Sequence, residues 1–461
     1  MSKFDFSRKR HGLYFLAFLV LFSCQNTVDQ ETDAIVIGGG LMGSAAGWQL
    51  AKEGLSVVLL EMQDTVYEQG SSFGEARIAR SNNRGNDIWS YLHNKSVSET
   101  IGLIDYLNST AQGSPYSIED VYTTSPVTYV GRNSIYEKLF ASLIRQKVEY
   151  DMAVNTLEGE TKYNVTLPDD VLIQREYNKH SGTMNPAALI KLLHKGIIGK
   201  GNEVKYNHKV TRISFNGKRQ LYNVEVRDLM RNEAKVFSAK KVVSAVGPYT
   251  GQLLQEIAPY FQTLITPQRV FLSFLKIKEE VYGNLSLEQK EKLQSFYPVI
   301  NSAKGTRDGS FFSMIEYFEE DIPIIKIGGH FQRSDISELD QVWSEKLTDH
   351  ELEWSLNSTA DYMRLLKLPI GKEDFEVVNG YSCVYSLTDS EVPLVTPIKA
   401  PDTNMPNQNF VVMGGMSGVG AKGAMTYGLF AADALRNTTS ESDSLYFVTA
   451  EAVGFKRLQQ D

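Results

Sequence analysis

Three glycines offer the first chemistry in this chain. Gly38, Gly40 and Gly43 follow the apolar run 34–37 with the spacing G-x-G-x-x-G. The first lets the chain turn tightly, the second lets the backbone approach a pyrophosphate, and the third lets the next helix pack against the strand. Ser44, Ala45, Ala46 and Gly47 give that helix a small face, and Gly54 is its expected stop. A second strand over 56–60 delivers Glu61. An acid there suits the two hydroxyls of an adenosine ribose and disfavours a 2′-phosphate. Strand, glycines, helix, strand and acid in this order read as a dinucleotide site, and both FAD and NAD fit it.

Other groups with chemical potential lie far apart in the chain. Arg77 and Arg80 follow the Gly/Ser-rich stretch 69–74, which includes Ser71. Three apart, they are expected on one face of a helical turn, presenting guanidinium groups to an anion. Lys326 stands in Ile324-Ile325-Lys326-Ile327, ahead of Gly328-Gly329-His330. A lysine among isoleucines reads, in isolation, as one that snorkels to the surface. Lys422 ends a glycine turn containing Gly415 and Gly418, between a strand at 410–413 and a small-residue helix. Such a turn puts backbone N–H groups at a helix start, where an anion can sit. For each residue a plainer reading exists: an ion pair for Arg80, a solvated or phosphate-facing side chain for Lys422, a satisfied structural role for His330. No His/Cys cluster has metal-ligand spacing, so no metal is expected. The G-x-S-x-G nucleophile pattern is met only out of register at 415–418, against hydrolase chemistry.

The elements that must position these groups follow from length and pattern. A chain of 461 residues, 42% hydrophobic and 22% charged, is long enough for two domains. Its net charge of −8 argues against nucleic acid as a partner. Helical periodicity covers 87–107 and 187–199, and strands are expected at 121–130, 203–206, 209–214 and 240–247. The fold class expected is α/β (α+β mixed): a Rossmann-like nucleotide-binding domain with an inserted substrate domain on an antiparallel or mixed sheet. The nucleotide-binding domain is drawn discontinuously over 33–100, 180–265 and 376–461, and the substrate domain over 101–179 and 266–375. Lys3, Arg8, Lys9 and Arg10 precede an apolar run at 13–22, then Ser23 and Cys24. Ten apolar residues are too few to span a bilayer core of ~30 Å, and the order basic, apolar, small is that of an export signal. Residues 21–24 resemble a bacterial lipobox. The expectation is a signal peptide over 1–23, a tether over 24–32, and a lipoprotein held by lipid on Cys24 at a membrane of the cell envelope. With Cys24 acylated, the second of the two cysteines, Cys383, has no partner for a disulfide within the chain.

Taken together, the blocks GGGLMGSAAGWQLAKEG with Glu61, GSSFGEARIAR, KIGGH at 326–330, GYSCVYSLTDSEVPLV around Cys383 and GGMSGVGAK ending at Lys422 resemble the FAD-dependent amine oxidoreductases of the D-amino-acid-oxidase superfamily. Within it they are most similar to the monomeric sarcosine oxidase and N-methyltryptophan oxidase group, over almost all of the chain after Thr32. The resemblance implies FAD, bonded through Cys383, and a small amine or amino-acid substrate. It places Arg80 and Lys422 on the substrate carboxylate and Arg77 near the flavin ring. Lys326 falls where oxygen is reduced, with His330 and Tyr385 in the active site. Gly38, Gly40, Gly43, Glu61, Ser71, Val210, Gly415, Gly418 and Lys422 fall among the cofactor-binding positions. Phe73 replaces a histidine of the sarcosine enzymes, and Phe312 an active-site tyrosine, giving a more apolar site. The activity implied is oxidation of a C–N bond to an imine, with O2 as acceptor. A flavin dehydrogenase with another acceptor, an NAD-linked dehydrogenase and a non-catalytic binding lipoprotein are the alternatives.

Overall fold

Residues 34–37, 57–60 and 242–243 have almost no exposed surface, the mark of strands covered on both faces. They form the centre of the first sheet of the computed structural model. The structure describes residues 30–459 apart from 66–69, 82–86, 111–114, 133–143, 146–148, 154, 402 and 440. The signal and lipid-bearing Cys24 expected from the sequence lie outside the described residues. Among those described, no helix is long and apolar enough to cross a membrane.

The first sheet runs His208–Asn216, Leu221–Asp228, Glu233–Ser244, Gln30–Ile37, Val57–Leu60, Glu203–Lys205, with Pro406–Gly414 also on Glu233–Ser244 and Leu394–Lys399 beyond it. Its core pairings are parallel and its outer hairpins antiparallel. The helices Leu41–Lys52, Asp87–Thr110, Pro186–Gly199 and Ala424–Arg436 share one apolar core with one face of these strands. Close approach between two of them depends on glycine. A Cβ on Gly428 would lie 2.6 Å from the backbone of Ala45, so the small residues of both helices are a packing requirement.

The second sheet runs Ser334–Asp335, Thr266–Ile277, Ile322–Gly328, Phe311–Glu319, Val299–Ser302, Val127–Arg132, Val171–Glu176, Tyr150–Ala153, with Phe375–Leu387 paired along Thr266–Ile277. All its pairings are antiparallel except Val299–Ser302 with Val127–Arg132. The mixed α/β class is as the sequence reads. Two details differ. Arg77–Ala79 is a strand, paired to Gly182–Met184 in a three-stranded sheet with Tyr122–Thr124, not a helical turn. Backbone pairing with a distant segment overrides the local i, i+3 spacing of the arginines. The expected strand over 121–130 is two strands in different sheets, Tyr122–Thr124 and Val127–Arg132. The strand Phe375–Leu387, which bears Cys383, belongs to the second sheet.

Candidate active site

The glycine turn forms where the opening strand meets the helix Leu41–Lys52. Gly38 has φ +95°, and a Cβ there would sit 2.6 Å from the Ala245 carbonyl oxygen. At Gly43 a Cβ would be 1.9 Å from the Gly38 carbonyl oxygen. Gly40 differs: an added Cβ meets only Ser72 Oγ at 3.3 Å, because this glycine borders a cleft. No side chain caps the helix at Gly40 and no acid lies in its first turn; Leu41 N–H donates to Ser72 Oγ at 3.1 Å. A helix start of this kind suits an anion. Glu61, buried at the end of the second strand, accepts Gly39 N–H at 2.6 Å and Gln63 N–H at 2.8 Å. Burial nevertheless raises its carboxyl above the usual range. Behind the turn, Ser44 Oγ donates to the Gly39 carbonyl at 2.7 Å and contacts His194 Nε2 at 2.8 Å. His194 Nδ1 meets the Tyr206 hydroxyl at 2.6 Å. Burial pulls the His194 imidazole down to about 4, so it is neutral at neutral pH.

The cleft has a volume of about 500 Å³, within the range of small-molecule and cofactor sites. Gly38, Gly40, Glu61, Ser71, Arg77, Val210, Tyr385 and Gly418 line it. A smaller cavity of about 120 Å³ carries Arg80, Phe312, Lys326, His330, Cys383 and Lys422 on its walls. Ser71, Arg77, Tyr385, Gly418 and Ala421 border both cavities and form the seam between them. Gly43 and Gly415 line neither; they act through packing, Gly415 having φ +61° and a Thr388 methyl 2.4 Å from where a Cβ would be. Gly418 admits Tyr385, whose ring would be 2.6 Å from an added Cβ.

The cations of the smaller cavity are held in different ways. Arg77 donates to the carbonyls of Ala76 at 2.8 Å, Ser71 at 3.2 Å and Phe73. Arg80 lies 5.5 Å from the centroid of Tyr129 and 6.0 Å from that of Phe312. Lys422, buried, has its ammonium 5.2 Å from the Trp89 ring. Lys326 does not snorkel. It is 1% exposed and donates to Glu316 and to the Ala76 carbonyl. Burial first, and the charge of Arg77 second, lower its ammonium to about 7. His330 Nδ1 is 3.2 Å from the Tyr385 hydroxyl, its ring 4.6 Å from that of Phe312. Cys383 is buried, which raises its thiol, while Arg77, a Ser71 hydrogen bond and Lys326 act in the opposite direction.

Two acids escaped the sequence reading. Glu316 faces Lys326 across adjacent strands, and Glu176 accepts the Tyr129 hydroxyl at 2.7 Å and Ser81 N–H at 2.8 Å. Both stand on strands without a local motif around them, and only the tertiary pairing of the strands reveals their partners. Among the described residues, no group of three or more His, Cys, Asp or Glu side chains could hold a metal ion.

A glycine-turn cleft opening onto a buried chamber with several cations defines a dinucleotide-dependent oxidoreductase. The chain belongs to the DAO family of FAD dependent oxidoreductases, whose model matches residues 33–434. The helix start with no acid in its first turn, the glycine that borders the cleft and the acid at the end of the second strand fit FAD. The chain is 49% identical over 53 residues to a probable sarcosine oxidase of Arabidopsis thaliana, 12% of this chain and 13% of that protein. It is 23% identical over 238 residues to an aerobic glycerol-3-phosphate dehydrogenase of Staphylococcus haemolyticus, 50% of this chain and 40% of that protein. These matches thus span well under two thirds of each curated relative. Among solved structures, it is similar to L-proline dehydrogenase from P. horikoshii (TM-score 0.67, 12% identity, 94% and 98% of the two chains). Glycine oxidase from Geobacillus kaustophilus is similar too (TM-score 0.64, 14% identity, 90% and 97%). At such identities the likeness is one of fold.

Proposed function

We propose that this protein oxidises the C–N bond of a secondary amino acid or related amine to an imine, which water then hydrolyses. One observation carries the reading: the cofactor cleft opens, across Arg77 and Tyr385, into a small chamber bearing both Arg80 and Lys422. Bound flavin supplies the two-electron acceptor for the carbon next to nitrogen. The chain's own residues orient the substrate. Arg80 and Lys422 would clamp a carboxylate, restricting approach of the α-carbon. Phe312, beside Arg80, lines the same chamber with His330 and Tyr385, and burial keeps the Tyr385 hydroxyl neutral by raising it above its usual value. The family resemblance and the names of the sarcosine and glycine oxidases support amines and amino acids as the substrate class. We assign O2 as acceptor and Cys383 as the point of covalent attachment. Cys383 lines the smaller cavity beside the seam, with Arg77 and Lys326 as the cations that favour its thiolate.

The test is anaerobic mixing of purified protein with a panel of N-alkyl amino acids and their carboxyl-free analogues, followed by air. The expected result is bleaching of the flavin band by at least one acid, then recovery with peroxide formation. An oxidised spectrum unchanged across the panel would reject the substrate class. Bleaching without recovery in air would replace O2 by another acceptor.

A further inference from the structure

The seam is built from segments remote in sequence, and one carboxylate joins them. Glu316 stands on the strand Phe311–Glu319 of the second sheet, 8% exposed. Its Oε1 accepts Glu75 N–H at 2.6 Å and its Oε2 accepts Ala76 N–H at 3.1 Å, both from the turn after the glycine-rich unit. The same Oε2 pairs with the Lys326 ammonium from the neighbouring strand. The Ala76 peptide closes the ring, its carbonyl accepting from both Lys326 and Arg77.

We propose that Glu316 is a positioning residue of the flavin site, its carboxylate clamping the Glu75–Ala76 turn and the Lys326 ammonium together so that Lys326 and Arg77 are held in place at the cavity wall. The inference rests on the flavin reading for its purpose but not for its geometry. A buried ammonium without a counter-charge gives up its proton. The Lys326 ammonium donates to Glu316 and to the Ala76 carbonyl, and of these two acceptors Glu316 brings the counter-charge that opposes the effect of Arg77. Met314 pairs with Lys326, and Glu316, two positions on, shares that face by the alternation of side chains.

The test compares full-length wild type, Lys326→Met, Glu316→Gln and the double variant in thermal unfolding across pH 5.5–10. A lysine whose folded value lies near 7 binds more protons unfolded than folded up to its ordinary value near 10.4. Stability of wild type relative to Lys326→Met should therefore climb as pH rises above about 7. With Gln at 316, the corresponding climb, read against the double variant, should begin at least about one pH unit lower. An onset unchanged between the two backgrounds would overturn the proposal, since a merely structural glutamate lowers the midpoint without moving the onset. Should Glu316→Gln fail to fold, the double variant, which removes the uncompensated cation, should recover folded protein; failure of both would also overturn it. The protein's yellow colour separates the two ideas: a colourless wild type counts against the flavin reading, while the onset of the lysine titration still decides the role of Glu316.

Discussion

The glycine cradle and the cation chamber meet at one seam but are made in opposite ways. In the cradle, 24 consecutive residues from 38 to 61 supply the turn, the helix and the acid, and backbone atoms do most of the contacting. In the chamber, Arg80, Phe312, Lys326, Cys383 and Lys422 come from five separate segments, and side chains do the contacting. A site made of backbone tolerates almost no added atom. A site made of side chains tolerates volume and responds to charge.

The sharpest way to break this contrast is Gly43→Ala. Its methyl would fall 1.9 Å from a carbonyl oxygen that cannot swing away. Overpacking ordinarily costs ~1–3 kcal/mol, and with the Gly38 backbone on one side and the Ala245 methyl on the other the upper end or beyond is expected. The variant should lose at least about tenfold in flavin content, read by absorbance per polypeptide. Normal loading would mean that the cradle is looser than described.

A smaller, charge-specific effect is expected in the chamber. Arg80→Met or Lys422→Met should lower the specificity constant for acid substrates by roughly ten- to hundredfold, the equivalent of a charged hydrogen bond of ~1.5–3 kcal/mol. Flavin content should stay near wild type. Equal losses for acids and for matching carboxyl-free amines would remove the clamp.

Smallest is the acid response of the cradle. His194 has a folded value near 4, below its unfolded value, so the unfolded chain binds the extra proton between about 6.5 and 4. Stability should fall as pH drops through that window, by an order of 1–3 kcal/mol for this residue. His194→Asn should flatten the acid limb of the unfolding profile. A profile of unchanged slope would show that Ser44 and Tyr206 hold the turn without it.

The same contrast explains what the sequence disclosed. Gly38, Gly40, Gly43 and Glu61 were readable because their spacing is their geometry. Arg77 and Arg80 both line the smaller cavity, but Arg77 stands on a strand and not in a helical turn, since the strand at 77–79 is set by its pairing with Gly182–Met184. Lys326 read locally as a snorkelling side chain because its counter-ion stands ten positions earlier, on a neighbouring strand whose register no local pattern gives. Glu176 was hidden for the same reason: its partners Tyr129, Ser81 and Ser181 lie on three other segments. Cys383 was singled out by the residues around it, while the pairing of its strand in the second sheet was not legible.

We propose that Cys383, on the wall of the smaller cavity, would hold the flavin covalently. Acid precipitation followed by denaturing electrophoresis tests this most directly. Flavin fluorescence should migrate with the wild-type polypeptide and be absent from Cys383→Ala treated in the same way. A colourless wild-type pellet with all the flavin in the supernatant would contradict covalent attachment at Cys383.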